Sequence, residues 1–496
     1  MSGAPDASDV STPSRPRRHV VDGAVRVFLA DAILVPTALV TVVYLTRRFG
    51  PEGYGLYALT YALVGSLGAT TISMLARATI KLVGDAKDWR PIGATVLRVH
   101  LVCGLAEAVA LWLASEPLAA LFDEPLLASY LRIFAWELVL FCAACAHRHI
   151  AIGLGLFRLR ARAAAIYWIV KLLLTVGFVE MGFSIPGVLV AAMSASVLEL
   201  AIYRLYIRPS LFQRSRVAAK ELWSYAQPLM FAALCLGFFS HVGLFALKVL
   251  GGTAADAGFY GAAQNLAMGP RLVAISFAPL LLSTVTRLQS SGREREAREI
   301  VRDALRFVLG LLPLAGIAAG TAPELVGLLL GAEFAPTAPL LTLLLVGELA
   351  LFIVSVAGVI LITAGQPRLT LTVSSAMLLV ATVGHALAVP RFGAVGAASV
   401  TAAIATLGAA ASTILALHLW HVALPVGTLT RGALLTLPCY MAAVFWPTPD
   451  LWLIPKLLAL VALVPIGFGL LGEFSARERG LLGAALRSVV LRSRSV

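Results

Sequence analysis

Asparagine occurs once in this 496-residue chain, at Asn265, and glutamine only five times. Side-chain amides are therefore nearly absent as hydrogen-bonding groups. Charge is scarce too. Asp, Glu, Lys and Arg make up 13% of the residues, too few to coat water-soluble domains of this size. Of the 39 basic residues 33 are arginine, and no lysine follows a glycine. The Gly-Lys step of a phosphate-binding loop cannot occur, which excludes an ATPase motor of that kind. The five cysteines, Cys103, Cys142, Cys145, Cys235 and Cys439, all fall inside apolar runs, so no disulfide framework is expected. In "CAACAHRH" at 142–149, Cys142, Cys145 and His149 share a helix face, which admits a metal or redox site. Close helix packing by small residues, with His147, Arg148 and His149 at a basic end, is the favoured reading, and neither metal nor cofactor is expected.

What the chain has in abundance is apolar length: 59% of its residues are hydrophobic and its mean hydropathy is +0.90. Runs long enough to cross a bilayer as helices recur at 24–46, 54–83, 92–115, 127–151, 163–182, 185–207, 222–250, 258–287, 301–330, 338–363, 368–390, 393–418, 424–447 and 451–472. Turn punctuation such as "FSIPG" at 183–187 and "RFGAVG" at 391–396 separates several of them. An all-α polytopic membrane protein with about 14 transmembrane helices follows.

The formal net charge of +13 could suggest nucleic acid, but it lies on one side. Loops after even-numbered spans carry "KLVGDAKDWR", "FRLRAR", "YIRPSLFQRSRVAAK" and "GREREAREIVRDALR"; loops after odd-numbered spans are short and neutral or acidic, as in "SEPLAALFDEP" and "GTAADAG". Orientation by the positive-inside rule accounts for this, with both termini cytoplasmic and no nucleic-acid partner. Residues 1–23 read as a disordered cytoplasmic tail and not as a signal peptide, because a full span interrupted by Asp31 follows. The arginine bias with abundant alanine fits a GC-rich bacterium.

The second half repeats the first. "GLYAL" at 55–59 faces "GFYGA" at 258–262, "WELVLF" at 136–141 faces "GELALF" at 347–352, and "GVLVAAMSAS" at 187–196 faces "GAASVTAAIA" at 396–405, at offsets of 203, 211 and 209. Six spans is an even number, so the copies are parallel and related by an axis along the membrane normal. The expected organisation is an N-lobe at 24–210 (spans 1–6), a C-lobe at 211–420 (spans 7–12) with a central cavity between them, two extra helices at 421–475 and a basic cytoplasmic tail at 476–496.

"FGPEGYGLYALTYALVGSLGA" followed by "ARATIKLVG" resembles the opening of the bacterial polysaccharide transporters, the O-antigen and exopolysaccharide flippases of the multidrug/oligosaccharidyl-lipid/polysaccharide (MOP) superfamily. "GGTAADAGFYGAAQNLA", "LLGAEFAPTAPLLTLLLVGELAL" and "VPRFGAVGAASVTA" are similar to later segments of that family, in order, over about residues 24–420. The resemblance implies a non-enzymatic carrier that moves an undecaprenyl-pyrophosphate-linked saccharide from the cytoplasmic to the outer leaflet by alternating access. A cation-coupled multidrug antiporter of the same superfamily is the alternative; a membrane glycosyltransferase or ligase is less favoured, since every expected outer loop is short.

Such a carrier needs a cationic path for phosphate, and ionisable groups inside spans are its candidates. In span 2, Ser66, Thr70, Ser73, Arg77 and Lys81 stay within about 80° of arc at 100° per residue, a polar stripe ending in two cations. Its alternative is a small-residue helix contact with the cations snorkelling at the membrane edge. In span 8, Tyr260, Gln264 and Arg271 fall on one helical face, with Arg271 about 20 Å from the outer end. Pro270 and Pro279 are expected to bend that helix. Arg271 suits bidentate phosphate binding; an intramembrane salt bridge to Glu137, Glu348 or Glu199 is the alternative. Glu137 and Glu348 occupy corresponding positions of the repeats and read as clasps between helices. Asp31, five residues before Pro36, is the candidate for a coupling proton or sodium ion. Lys171, His241, Lys248 and His385 remain unassigned.

Overall fold

The structure is a computed structural model that describes residues 33–211, 219–448 and 450–474; side chains at 69–74, 77, 219–230, 272, 275, 276 and 450 lie outside the described set. Among the described residues there are helices and no strands. They are α1 (Leu34–Gly84), α2 (Arg90–Leu121), α3 (Pro125–Gly153), α4 (Phe157–Glu180), α5 (Ser184–Tyr206), α6 (Ala219–Val249), α7 (Ala254–Ala267), α8 (Gly269–Ser290), α9 (Glu294–Leu309), α10 (Leu312–Gly320), α11 (Ala322–Leu329), α12 (Thr337–Thr363), α13 (Pro367–Trp420), α14 (Val426–Phe445) and α15 (Leu453–Leu470). Nine of the described helices are long and apolar enough to cross a membrane, and a bent pair adds a tenth. Large side chains such as Trp112, Leu113, Leu173, Leu379 and Leu470 stand exposed on them, as lipid-facing residues must. The chain is a multi-pass membrane protein.

The spans of the sequence are punctuated differently in four places. α1 has 51 residues and α13 has 54; at about 1.5 Å per residue each is more than twice as long as the roughly 30 Å hydrocarbon layer is thick. Each bends at one glycine in left-handed backbone, Gly50 (φ 64°) and Gly393 (φ 54°), which L side chains rarely adopt. The expected span at 258–287 is two helices, because α7 ends at Met268 and Pro270 opens α8, where its missing N–H costs nothing. The expected span at 301–330 is three helices, with prolines 313 and 323 opening α10 and α11 and a 59° bend before α11.

Two compact units are distinguished. Unit one comprises Met1–Thr41, Thr71–Ser115 and Ser129–Gln227; unit two comprises Val42–Thr70, Glu116–Ala128 and Pro228–Val496. Within unit one, α3 and α5 are tied by two buried polar contacts. Arg148 forks Glu199 (Nη2 to Oε2, 2.7 Å), and Ser196 donates to Glu137 at 2.6 Å. Close packing also accounts for the cysteines of α3: a Cβ on Gly104 of α2 would come within 2.9 Å of Cys142 Cβ.

Unit two gathers two pieces of the first sequence repeat onto the second. Gly55 of α1 lies against Gly258 of α7, so closely that a Cβ on Gly55 would sit 1.9 Å from Ala254 O and one on Gly258 would sit 2.0 Å from Pro51 O. Asn265 donates to the Tyr54 hydroxyl at 3.0 Å, and Lys248 pairs with Glu124 at 2.8 Å. α12 runs through the unit largely buried. At one end of α14 and α15, Lys456, 1% exposed, donates to both oxygens of Glu324 on α11 and to Ala443 O.

At the other end Glu473 accepts from Arg306 (2.9 Å), Arg431 (2.7 Å) and the Thr428 hydroxyl. Burial pushes the Glu473 carboxyl up, but the hydrogen bonds from Thr428, Arg431 and Arg306 outweigh it and hold the group below the usual carboxylate range. A depressed folded-state value means that stabilisation is complete at neutral pH and is lost as pH falls through that value. Glu473→Gln should therefore lower the melting temperature at pH 7, and the gap to wild type should close as pH drops below about 4.5. A gap that stays constant down to pH 3 would show that Glu473 does not act as an ion.

Candidate functional site

Arg271 is the third residue of α8, placed there by the Gly269-Pro270 step that starts the helix. Its guanidinium forks Glu348 of α12, with Nε to Oε2 at 3.1 Å and Nη2 to Oε1 at 2.6 Å. The carboxylate is nearly buried, its side chain 6% exposed, whereas the arginine side chain is 27% exposed. Of the three acidic partners open to Arg271 in the sequence, the structure selects Glu348. The pair satisfies a carboxylate that could not otherwise be sheltered so deeply, while the arginine side chain stays partly exposed.

The break at Met268 separates Arg271 from the other span-8 candidates, so they do not share one continuous helical face. Gln264, on α7, donates through Nε2 to the carbonyl of Ser240 on α6. The neighbouring His241 lies within reach of Gln264 and of the Arg271 charge, and its buried Nδ1 has no hydrogen-bond partner among the described residues. These groups assemble around Ser240 and His241 of α6. Tyr260 is fully buried and turns elsewhere, with its hydroxyl 3.1 Å from Thr401 Oγ1 on the second arm of α13. Gly243 makes room for it: a Cβ there would lie 2.2 Å from Tyr260 Oη.

The span-2 stripe is described only in part. Ser66 is buried and donates to Ala62 O of its own helix at 2.7 Å, and Lys81 is exposed in the last turn of α1. The side chains of Thr70, Ser73 and Arg77, and the whole of Asp31, lie outside the described residues. Ser240, Thr401 and Gly243 belong to the polar interior of unit two but carry no local signal in the sequence. Their partners are 24, 141 and 17 residues away along the chain (264 − 240, 401 − 260 and 260 − 243).

A family model described as polysaccharide biosynthesis protein matches residues 44–339. Comparison with curated proteins finds no match. Among solved structures the chain is similar to lipid II flippase MurJ in an inward closed conformation, at 12% identity and a TM-score of 0.65, over 91% of this chain and 98% of that one. It is also similar to an outward-facing multidrug resistance MATE family transporter of the MOP superfamily (15% identity, TM-score 0.58, 82% and 96% of the two chains). A MOP superfamily transporter from Pyrococcus furiosus, whose binding pocket is described as reversed in polarity, matches at 14% identity and TM-score 0.59 over 85% and 96%. At these identities the likeness is one of fold. The family model, however, spans well over half of the sequence, and the chain belongs to the polysaccharide biosynthesis protein family, with the fold of the MOP superfamily.

Proposed function

We propose that the chain is a flippase that carries the anionic headgroup of a lipid-linked saccharide, of the undecaprenyl-pyrophosphate type, from the cytoplasmic to the outer leaflet of a bacterial inner membrane. The observation that carries this reading is Arg271, a partly exposed arginine at a helix break within a membrane protein, its guanidinium held on a buried carboxylate. A fork of two N–H donors fits a phosphate as well as it fits Glu348. Phosphate arriving at Arg271 takes the place of the carboxylate, and its departure restores the ion pair. Arg77 and Lys81, at the end that charge asymmetry assigns to the cytoplasm, supply the entry. Alternating access is supported by the Gly55–Gly258 contact, in which related glycines of the two repeats meet at the ends assigned to the outside. The coupling ion, a proton or sodium, has Asp31 as its sequence candidate. No step of this cycle needs an enzymatic activity.

Buried Glu348 supports a second reading, a cation-coupled drug antiporter, because a carboxylate can receive a cation once Arg271 leaves it. The two readings separate in proteoliposomes. A flippase moves a fluorescent pyrophosphate-linked oligosaccharide lipid between leaflets; an antiporter leaves that lipid in place and expels a cationic dye against a proton or sodium gradient. The second outcome overturns the proposal.

A further inference from the structure

His385, in the first arm of α13, is fully buried, and the hydrogens around it do not settle into one arrangement. Its Nδ1 lies 2.5 Å from Ala381 O one turn back, so Nδ1 carries a hydrogen and donates it. Its Nε2 lies 3.3 Å from Thr401 Oγ1. That same hydroxyl lies 3.0 Å from Ala397 O and 3.1 Å from the Tyr260 hydroxyl. A threonine has one hydroxyl hydrogen to give. When it goes to Nε2, the ring is neutral and Tyr260 donates to Thr401. When it goes to Ala397 O, Nε2 must bring its own hydrogen, the ring becomes an imidazolium, and Thr401 accepts from both Tyr260 and His385. Every group is satisfied in both arrangements. They differ by one proton on Nε2, exchanged with water as hydronium in and water out, and by the rotation of one hydroxyl.

The surroundings make that proton consequential. Gly243 of α6 forms one wall, where a Cβ would meet Tyr260 Oη at 2.2 Å and Thr401 Oγ1 at 3.0 Å. Phe239, Met377, Ala381 and Ala405 pack as an apolar layer beside it. The titratable groups facing the relay are Tyr260 from α7, then Glu348 of α12, which acts electrostatically on Tyr260 and is held by Arg271, and His241 of α6 near Arg271. Among the described residues no ionised side chain acts on His385 directly. An imidazolium without a counter-charge is costly in such a place, so proton occupancy and the packing of α7 against α13 are linked.

We propose that His385 is a proton-binding site whose occupancy is passed through Thr401 and Tyr260 to α7, the helix that leads into Arg271. That this proton drives transport rests on the flippase reading above; that it binds does not.

The test is nitrogen NMR of histidine-labelled full-length protein in lipid nanodiscs, with the His385 signal identified by its loss in His385→Gln. The ring is expected to pass from the neutral to the doubly protonated form as pH is lowered. Tyr260→Phe and Thr401→Val should each move its midpoint by about half a pH unit or more, roughly threefold in proton affinity, with exposed His421 unmoved. A ring that stays a neutral Nδ1–H tautomer from pH 5 to 9, or titrates identically in both variants, overturns the proposal. In proteoliposomes carrying the fluorescent pyrophosphate-linked lipid, the ratio of flipping with and without a pH gradient should exceed one in wild type and fall to one in His385→Gln. Wild-type flipping indifferent to the gradient removes the coupling and leaves the flippase standing. Titration without any flipping does the reverse.

Discussion

Arg271→Ala is expected to reduce headgroup translocation to the rate of protein-free liposomes while the chain still inserts in the membrane. The fork supplies two donors at fixed spacing, and among the described residues no other cation is paired to Glu348. Removing it takes away the phosphate partner and also strands a carboxylate whose side chain is 6% exposed. Breaking a buried pair in this way costs about 3–5 kcal/mol, so lost activity alone would not separate binding from folding. The double variant Arg271→Ala/Glu348→Gln makes the separation, because it removes both charges: melting temperature should recover toward wild type and transport should not. Glu348→Gln alone should lower the melting temperature, since it leaves the guanidinium without its anion. Arg271→Lys keeps the charge but loses the fork, and should cost at least about tenfold in transport. Normal translocation by Arg271→Ala would remove Arg271 from the substrate path.

The helix content and the membrane class are legible in composition, since apolar runs of bilayer length leave no other solvent for the chain. Gly393 is legible as a bend in "RFGAVG" for a local reason, that glycine alone enters left-handed backbone without strain. Breaks at Met268 and Thr321 are harder to read, because proline signals a change of helix without saying whether the chain bends or starts afresh. Arg271 stands out in the sequence as a charge far from either membrane surface, and the sequence offers three carboxylates for it; only packing of α8 against α12 selects Glu348. His385 shows how a site can be silent. One histidine in an apolar run has no local partner, and Thr401 and Tyr260 reach it only when the two arms of α13 fold back around Gly393 and α7 packs against them.

Gly258→Ala and Gly55→Ala are each expected to lower the melting temperature sharply, while Gly237→Ala, also in a helix, should leave it unchanged or raise it. At Gly237 an added Cβ meets nothing within 4 Å, and replacing a helical glycine by alanine gains about 0.5–1 kcal/mol. At Gly258 the Cβ would sit 2.0 Å from Pro51 O, and at Gly55 it would sit 1.9 Å from Ala254 O. Both obstacles are backbone atoms, which cannot rotate away as a side chain can, so the two helices must part. Overpacking costs about 1–3 kcal/mol, and backbone obstruction belongs at the upper end of that range. The repeat supplies the reason for the pairing. Residues 55 and 258 are counterparts in two copies of one sequence, so any symmetric approach of the copies at this level brings each residue onto the other, and a side chain on one implies a collision from both. Only a position that is glycine in both copies allows helices in lipid to come backbone to backbone, where close packing replaces the hydrophobic drive that water would supply. Melting of Gly258→Ala and Gly55→Ala at the wild-type temperature would show that this contact is not closed in the folded protein.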